Sequence, residues 1–191
     1  MAVGNAIVTM YGRCNRLDRA QRTFDMMSER NTLSWTAIIA VHAQNGQPKR
    51  ALHLFQQMHK EGLMPNDATF ASILCACAAL ALGKYLHSRI SIMGLEDNVT
   101  VANSLIGMYG KCGSMADACT SFDRVESRRS TSWNALMSAF VENMQFSHVI
   151  QLFQQMLQEA MLPDRVTYIN AFSACAHRAT MCEVRRLHSC V

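Results

Sequence analysis

The chain repeats itself after 98 residues, and a repeat of that length and regularity leaves few folds open to it. Asn5-Ala6 returns as Asn103-Ser104, and Met10-Tyr11-Gly12-Arg13-Cys14 returns as Met108-Tyr109-Gly110-Lys111-Cys112. Phe24-Asp25 becomes Phe122-Asp123, Ser34-Trp35 becomes Ser132-Trp133, and Leu54-Phe55-Gln56-Gln57-Met58 becomes Leu152-Phe153-Gln154-Gln155-Met156. Ala76-Cys77-Ala78 matches Ala174-Cys175-Ala176 at the same offset. Leu86-His87-Ser88 matches Leu187-His188-Ser189 at 101, so the first copy is three residues shorter there. Self-similarity at fixed spacing marks a stacked array, whose long groove suits an extended ligand met one element per unit.

Trp, Gly and Pro signals divide the long repeat into segments 1–31, 32–66, 67–98, 99–129, 130–164 and an incomplete 165–191. Each is predicted as two helices joined by a tight turn. In 32–66, Trp35, Ile38, Ile39 and His42 recur at helical spacing and predict one apolar stripe. Asn45-Gly46 stops that helix, since both tolerate the left-handed conformation of a helix C-terminus. Pro48 opens the next helix, where its missing N–H is no loss, and Ala51, Leu52, Leu54, Phe55 and Met58 form its buried face. Segment 130–164 repeats the scheme with Trp133, Leu136 and Phe140, then Leu152, Phe153, Met156 and Pro163. No segment alternates with the period of a strand. Pairs this short cannot bury their apolar faces alone, so neighbours must stack. The fold expected over 1–191 is all-α, one right-handed superhelical solenoid of stacked helix-turn-helix repeats with first helices on the concave face.

Composition excludes more than it assigns. The longest apolar stretch, around Ile73 to Leu82, falls short of the roughly 20 residues that span a bilayer, and no leader precedes Val3. A net charge of +4 permits a polyanionic partner without arguing for one. Of the eight cysteines, Cys14/Cys112 and Cys77/Cys175 are repeat equivalents, which reads as packing of small residues; no CxxC pair stands at zinc-ligand spacing. His59-Lys60-Glu61 matches the HxE of zinc deaminases, but the PCxxC that works with it is absent. No phosphate-binding glycine loop and no nucleophile–base constellation occurs. No catalytic residue, metal, cofactor, membrane or small-molecule substrate is expected.

Asn5-Ala6-Ile7…Met10-Tyr11-Gly12-Arg13-Cys14, Ser34-Trp35-Thr36-Ala37-Ile38-Ile39, Ala51…Leu54-Phe55…Met58…Gly62…Pro65 and Ala76-Cys77-Ala78…Gly83-Lys84…Leu86-His87 recur in short, standard, long order. In this the chain resembles plant-type pentatricopeptide repeat proteins, of the subclass that mixes long and short motifs. The resemblance implies single-stranded RNA as partner, one base per repeat, read by two or three side chains. It assigns the reading to a residue early in each first helix and the last residue of the segment: Asn5/Asn31, Thr36/Asn66, Ala71/Asn98, Asn103/Arg129 and Asn134/Asp164. By that family's code Thr36/Asn66 resembles an adenine reader, Asn134/Asp164 a uracil reader and Asn5/Asn31 a pyrimidine reader. Ala71 has no polar group, Arg129 departs from the usual short polar residue, and Ile169 is silent. Arg13 and Lys111 stand where the family meets the sugar-phosphate backbone, with Gln44 and Glu142 at the equivalent places. Leu33 and Val166 resemble its wedges between bases, with Ala2, Ala68, Thr100 and Thr131 as weaker versions.

Other roles stay open for these residues. An Asn, Thr or Asp at a segment boundary also caps a helix. Trp35 and Trp133 lie on the apolar stripe and are expected in the core; His87 and His188 are expected to pack structurally, and Arg124, Arg128 and Arg129 to form a solvated helix end. The chain begins at a segment boundary and ends within a second helix, as a fragment would. Members of the resembled subclass commonly continue into extensions associated with cytidine-to-uridine RNA editing in mitochondria or chloroplasts, so editing or processing proteins would be further partners. A helical-repeat scaffold holding a peptide or partner helix is the alternative function.

Overall fold

The computed structural model describes residues 2–178; the second helix expected in the last segment, with His188, Cys182 and Cys190, lies outside them. Among the described residues are eleven α-helices and no strand: α1 (Ala2–Arg13), α2 (Leu17–Asp25), α3 (Thr32–Gln44), α4 (Pro48–Lys60), α5 (Asp67–Ala76), α6 (Leu80–Ile92), α7 (Val99–Lys111), α8 (Met115–Asp123), α9 (Ser130–Glu142), α10 (Phe146–Gln158) and α11 (Arg165–Arg178). The helices α1 to α10 form five consecutive pairs, and α11 follows them. The fold is all-α and built of helix–turn–helix repeats. The chain forms two compact units, Met1–Val101 and Ala102–Val191, with the boundary inside α7.

Within each unit the first helices are the inner layer. In the first, α3 packs on its own partner α4 and on α1 and α5; in the second, α9 packs on α8, α10 and α11. This extends one expectation. The expected stripe Trp35, Ile38, Ile39 and His42 is buried, and Ser34 and Val41 widen it along one edge, because α3 has neighbours in α1, α4 and α5. The second helix α4 buries Ala51, Leu54, Phe55 and Met58 of its expected face, while Leu52, at the edge of that face, is only half-buried. Trp35 and Trp133 are core residues, each edge-on to the phenylalanine ending the previous pair: Phe24 at 4.8 Å and Phe122 at 4.9 Å.

Turn chemistry repeats as faithfully. Gly46 takes the left-handed conformation alone (φ 72°), while Asn45 stays at φ −98°. The Asn45 amide instead donates to the carbonyls of Val41, at 2.7 Å, and Gly12 of α1, at 3.3 Å. Asn143 does the same to Ala139, at 2.8 Å, and Gly110, at 2.9 Å. These bonds satisfy carbonyls that a helix end would leave orphaned and staple consecutive first helices together. The helices there touch closely: a Cβ built on Gly12 would lie 2.4 Å from Val41 Cγ2, and one on Gly110 would lie 2.5 Å from Ala139 Cβ.

Of the basic cluster expected at a solvated helix end, Arg124 and Arg129 are exposed, and Arg128 has another task. Arg128 lies over the Phe122 ring at 4.7 Å and donates to the carbonyls of Phe122 (3.3 Å) and Asp123 (3.1 Å). Arg30 repeats all three contacts with Phe24 and Asp25. Each arginine thus closes the C-terminal end of a second helix, which gives it a structural task where a solvated end was expected. His87 pairs with Glu96 at 3.1 Å. Cys14, Cys75, Cys77, Cys112, Cys119 and Cys175 form no disulfide among the described residues.

Candidate nucleic-acid interface

The last residue of a segment precedes the next first helix, so its side chain falls at that helix's N-terminus, where unpaired N–H groups await an acceptor. The early residue of the preceding first helix lies one helix away. Side chains some thirty residues apart in sequence thereby meet at one place.

The meeting is tightest at Asn134 and Asp164. The Asn134 amide donates to both carboxylate oxygens, each at 2.9 Å. Asp164 in turn caps α11, accepting at Oδ1 from the N–H groups of Val166 (2.8 Å) and Thr167 (3.0 Å). The Thr167 hydroxyl donates to Asn134 Oδ1 at 2.7 Å and accepts the Asp164 N–H at 3.1 Å. Asn134 and Thr167 are buried. Burial pushes the Asp164 carboxyl up, but the hydrogen bonds from Thr167, Asn134 and Val166 outweigh it and hold it below the usual carboxylate range. A further bond, from the Asn170 amide to Ser138 Oγ at 3.0 Å, continues the polar seam between α9 and α11.

Thr36 and Asn66 are joined through a third residue. Asn66 caps α5: its Oδ1 accepts from the Thr69 N–H at 2.9 Å, and the Asn66 N–H donates to Thr69 Oγ1 at 3.2 Å, completing a capping box. Thr69 Oγ1 also lies 2.8 Å from Asn66 Oδ1 and 2.6 Å from Thr36 Oγ1. No hydrogen bond from the Asn66 Nδ2 is present among the described residues.

The remaining pairs are not joined. Asn31 caps α3, accepting from the N–H and hydroxyl of Ser34 at 3.0 and 3.1 Å, while Asn5 Oδ1 is buried without a partner among the described residues. Asn103 donates to Thr131 Oγ1 at 3.3 Å, its Oδ1 is buried unpartnered, and Arg129 supplies no side-chain cap to α9. Asn98 caps the start of α7 through Thr100 and Val101 and donates to Asp67 Oδ2 at 3.1 Å; opposite it, Ala71 offers no polar atom. Capping and pairing are therefore one arrangement at Asn66 and Asp164, where the residues alone had left two roles open.

Arg13, Gln44, Lys111 and Glu142 are the last residues of α1, α3, α7 and α9, and all are exposed. Leu33 is 61% and Val166 47% exposed, an unusual setting for large apolar side chains beside a polar cluster. Thr69 and Thr167 are the residues that sequence reasoning missed. Their signal is a hydroxyl two places beyond the start of segments 67–98 and 165–191, where Ser34 and Ser132 stand in other segments and Val101 in segment 99–129. No group of three or more potential metal ligands gathers among the described residues.

Comparison with known proteins agrees with this architecture. A family model described as PPR repeat family matches residues 30–79 and 128–177, and a PPR repeat model matches 5–32 and 100–130. The pentatricopeptide repeat-containing protein At2g33680 of Arabidopsis thaliana is 39% identical over 91% of the chain and 24% of its own length. The chloroplastic At1g11290 protein of the same plant is 36% identical over 99% of the chain and 24% of its own length. The chloroplastic protein CRR2, also from Arabidopsis thaliana, is 37% identical over 95% and 28%. The chain thus spans about a quarter of the length of these relatives. The crystal structure of the pentatricopeptide repeat protein PPR10 in complex with an 18-nt psaJ RNA element superposes with a TM-score of 0.78 at 18% identity, over 98% of this chain and 29% of that one. PPR10 from maize superposes at 0.73 and 20% identity, over 90% and 26%. Repeating helix pairs, recurrent turn and cap residues and family matches along most of the chain converge on one conclusion: it belongs to the PPR repeat family.

Proposed function

We propose that the chain is a sequence-selective single-stranded RNA-binding module, of the subclass that mixes long and short motifs. Its bases would be met by Asn5/Asn31, Thr36/Asn66, Asn103 and Asn134/Asp164, and its phosphates by Arg13 and Lys111. The observation that carries this reading is the convergence of Asn134 with Asp164, and of Thr36 with Asn66 through Thr69, into fixed polar pairs. A buried polar pair held in one orientation offers a base one pattern of donors and acceptors, and a mismatched edge leaves groups unpaired at about 1–3 kcal/mol each. Exposed Leu33 and Val166 beside these pairs suit contact with base faces. A peptide scaffold has no use for the recurrence of amide and carboxylate at both positions.

With the RNA 5′ end near Asn5, the preference is pyrimidine, adenine, any base, weak pyrimidine, uracil. In the cell the module would give specificity to RNA processing or to cytidine-to-uridine editing, the chemistry and its protein partners being supplied by other parts. Chloroplastic relatives support a plant organelle, chloroplast or mitochondrion, as its location. The test is fluorescence anisotropy with single-stranded RNA against duplex RNA and peptide controls, followed by Asn66→Asp. That substitution puts a second acceptor where the amide donates and should move the second base from adenine toward guanine. A change in affinity with base preference untouched would refute the assignment of residue to base.

A further inference from the structure

The readers do not stand alone. Thr69 and Thr167 each lie in the segment after the pair they touch, on the first turn of α5 and α11, and both are buried. Each has a single hydroxyl proton, and counting protons decides what the neighbouring reader can show a base.

At the Thr36 site, Thr69 Oγ1 stands 2.8 Å from Asn66 Oδ1, which has no proton of its own. That short contact is favourable only if Thr69 donates to it. Thr69 Oγ1 then meets Thr36 Oγ1 at 2.6 Å as an acceptor, so the Thr36 proton points inward to Thr69. The reverse assignment would set lone pairs of Thr69 and Asn66 against each other. Thr36 is therefore left with acceptor lone pairs only. The Asn66 Oδ1 is committed to the cap, so the outward function of Asn66 is its Nδ2 donor. An acceptor beside a donor complements the Watson–Crick edge of adenine, whose N6 amine donates and whose N1 accepts. Guanine reverses both, with an accepting O6 and a donating N1–H.

At Asn134 the same hydroxyl works with opposite polarity. Asp164 offers no proton, so the Asn134 amide faces it; the Thr167 hydroxyl lies 2.7 Å from Asn134 Oδ1 and 3.1 Å from Asp164 Oδ1. Asp164 Oδ1 already accepts three N–H groups while Asn134 Oδ1 has no other donor among the described residues, so the proton goes to Asn134. The Asn134 carbonyl is thereby spent, and one amide N–H remains to be offered. Elsewhere the device is missing. Val101 has no hydroxyl, Ser34 bonds Asn31 as Thr69 bonds Asn66 but leaves Asn5 Oδ1 unpartnered, and Ser132 Oγ is buried without a partner among the described residues. The bridged sites are two of the three pairs that unite a polar early residue with a capping Asn or Asp; in the third, Asn5/Asn31, no hydroxyl reaches the early residue.

We propose that the third residue of the following segment is a positioning residue of each reading site: Thr69 and Thr167 fix the hydrogen-bond polarity that Thr36 and Asn134 present, and so set base choice without touching the base. This rests on the RNA-reading function proposed above. Without its hydroxyl, Thr36 is free to rotate and donate to guanine O6, and the distinction between adenine and guanine fades. The loss at Asn134 is smaller, because Asp164 still holds the amide.

The test uses the whole 191-residue chain and four synthetic single-stranded RNAs that differ only in the second base, with anisotropy read for wild type, Thr69→Val and Thr69→Ser. The expected result for Thr69→Val is a fall of about fivefold or more in the adenine-to-guanine affinity ratio, equivalent to ~1 kcal/mol. Preference at the fifth base should be unchanged, and Thr69→Ser should keep most of the adenine preference. If Thr69→Val weakens all four RNAs alike, or Thr69→Ser loses as much discrimination as Thr69→Val, the residue is a helix cap and the proposal falls. Wild-type protein that binds RNA with no preference at the second base would remove the underlying reading, and this proposal with it. Circular dichroism monitors folding, and Thr69→Ala carries the same comparison should the valine variant not fold.

Discussion

Gly110→Ala should destabilise the second unit, although the same change in an ordinary helix would stabilise it. The added Cβ would sit 2.5 Å from Ala139 Cβ and 3.1 Å from Ala139 Cα. Carbon atoms rest at about 3.5–4.0 Å, so α7 and α9 would have to part by roughly 1 Å. The obstacle is a Cβ and backbone, with no rotamer to yield. Overpacking of this kind costs about 1–3 kcal/mol. The bond from the Asn143 amide to the Gly110 carbonyl, 2.9 Å long, would stretch with it and lose about 1 kcal/mol. Against this, replacing a helix-interior glycine by alanine returns about 1 kcal/mol. The net is a loss of about 1–3 kcal/mol, or roughly 0.5–1.5 M in urea midpoint at a slope of about 2 kcal/mol/M. Gly107 is the control: it lies in the same helix with nothing within 4 Å of an added Cβ, so Gly107→Ala should raise the midpoint. Equal responses at the two positions, or a higher midpoint for Gly110→Ala, would refute the close approach. Ala139→Gly in the Gly110→Ala background should recover part of the loss.

Met144 holds the left-handed conformation (φ 58°) that Gly46 holds after α3 (φ 72°). Relief of about 1–2 kcal/mol of strain against about 0.4–1 kcal/mol of added chain entropy predicts a modest gain for Met144→Gly, a melting temperature up to about 4 °C higher by calorimetry. His42 is buried between Gln47 and Gln21, and burial lowers its pKa from 6.5, with the Gln47 hydrogen bond opposing and the Arg50 charge adding to the shift. The unfolded chain then binds more protons, so stability present above pH 6.5 should be lost as pH falls through that value toward the native pKa. Urea midpoints at pH 7.5 and 5.5 should differ less in His42→Gln than in wild type. Lys111→Ala should weaken all RNA sequences alike and reduce the salt slope by about 0.7, the share of one phosphate contact to a single strand, in anisotropy titrations at several salt concentrations.

The helix pairs were legible in the sequence because their signals are local. Pro48, Gly46, Gly62 and the i, i+3, i+4 spacing of α4 act within one or two turns, and each element formed where those signals lie. The full width of the buried face of α3 was not legible, since Ser34 looks polar until the helices before and after it close in. At the turn, Asn45 and Gly46 carried the same tolerance for positive φ; only the amide's reach to a carbonyl of the previous repeat separates their tasks. The proposed reading pairs could be named by resemblance, but not their bonding. A contact such as Thr167 to Asn134 spans 33 residues, and nothing near Thr167 in the sequence displays it. Arg128 shows the converse: three arginines in a short stretch suggest solvent, and an aromatic ring with two open carbonyls nearby decides otherwise.

The polar clusters at Asn66 and Asp164 straddle the seams between segments, because the cap belongs to one segment and the hydroxyl that completes it to the next. In a stacked array each repeat contacts only its neighbours, so whole repeats invite copying and grafting. A copy cut at residue 66 or 164 carries its early side chain and its cap away from the threonine that orients them. The piece that can be transplanted intact is therefore out of phase with the piece that folds as a helix pair: it runs past the boundary into the first turn of the following helix. Grafts joined after residue 69 or 167 would keep each cluster whole, whereas grafts joined at the turn would inherit whatever hydroxyl, or valine, the new neighbour brings.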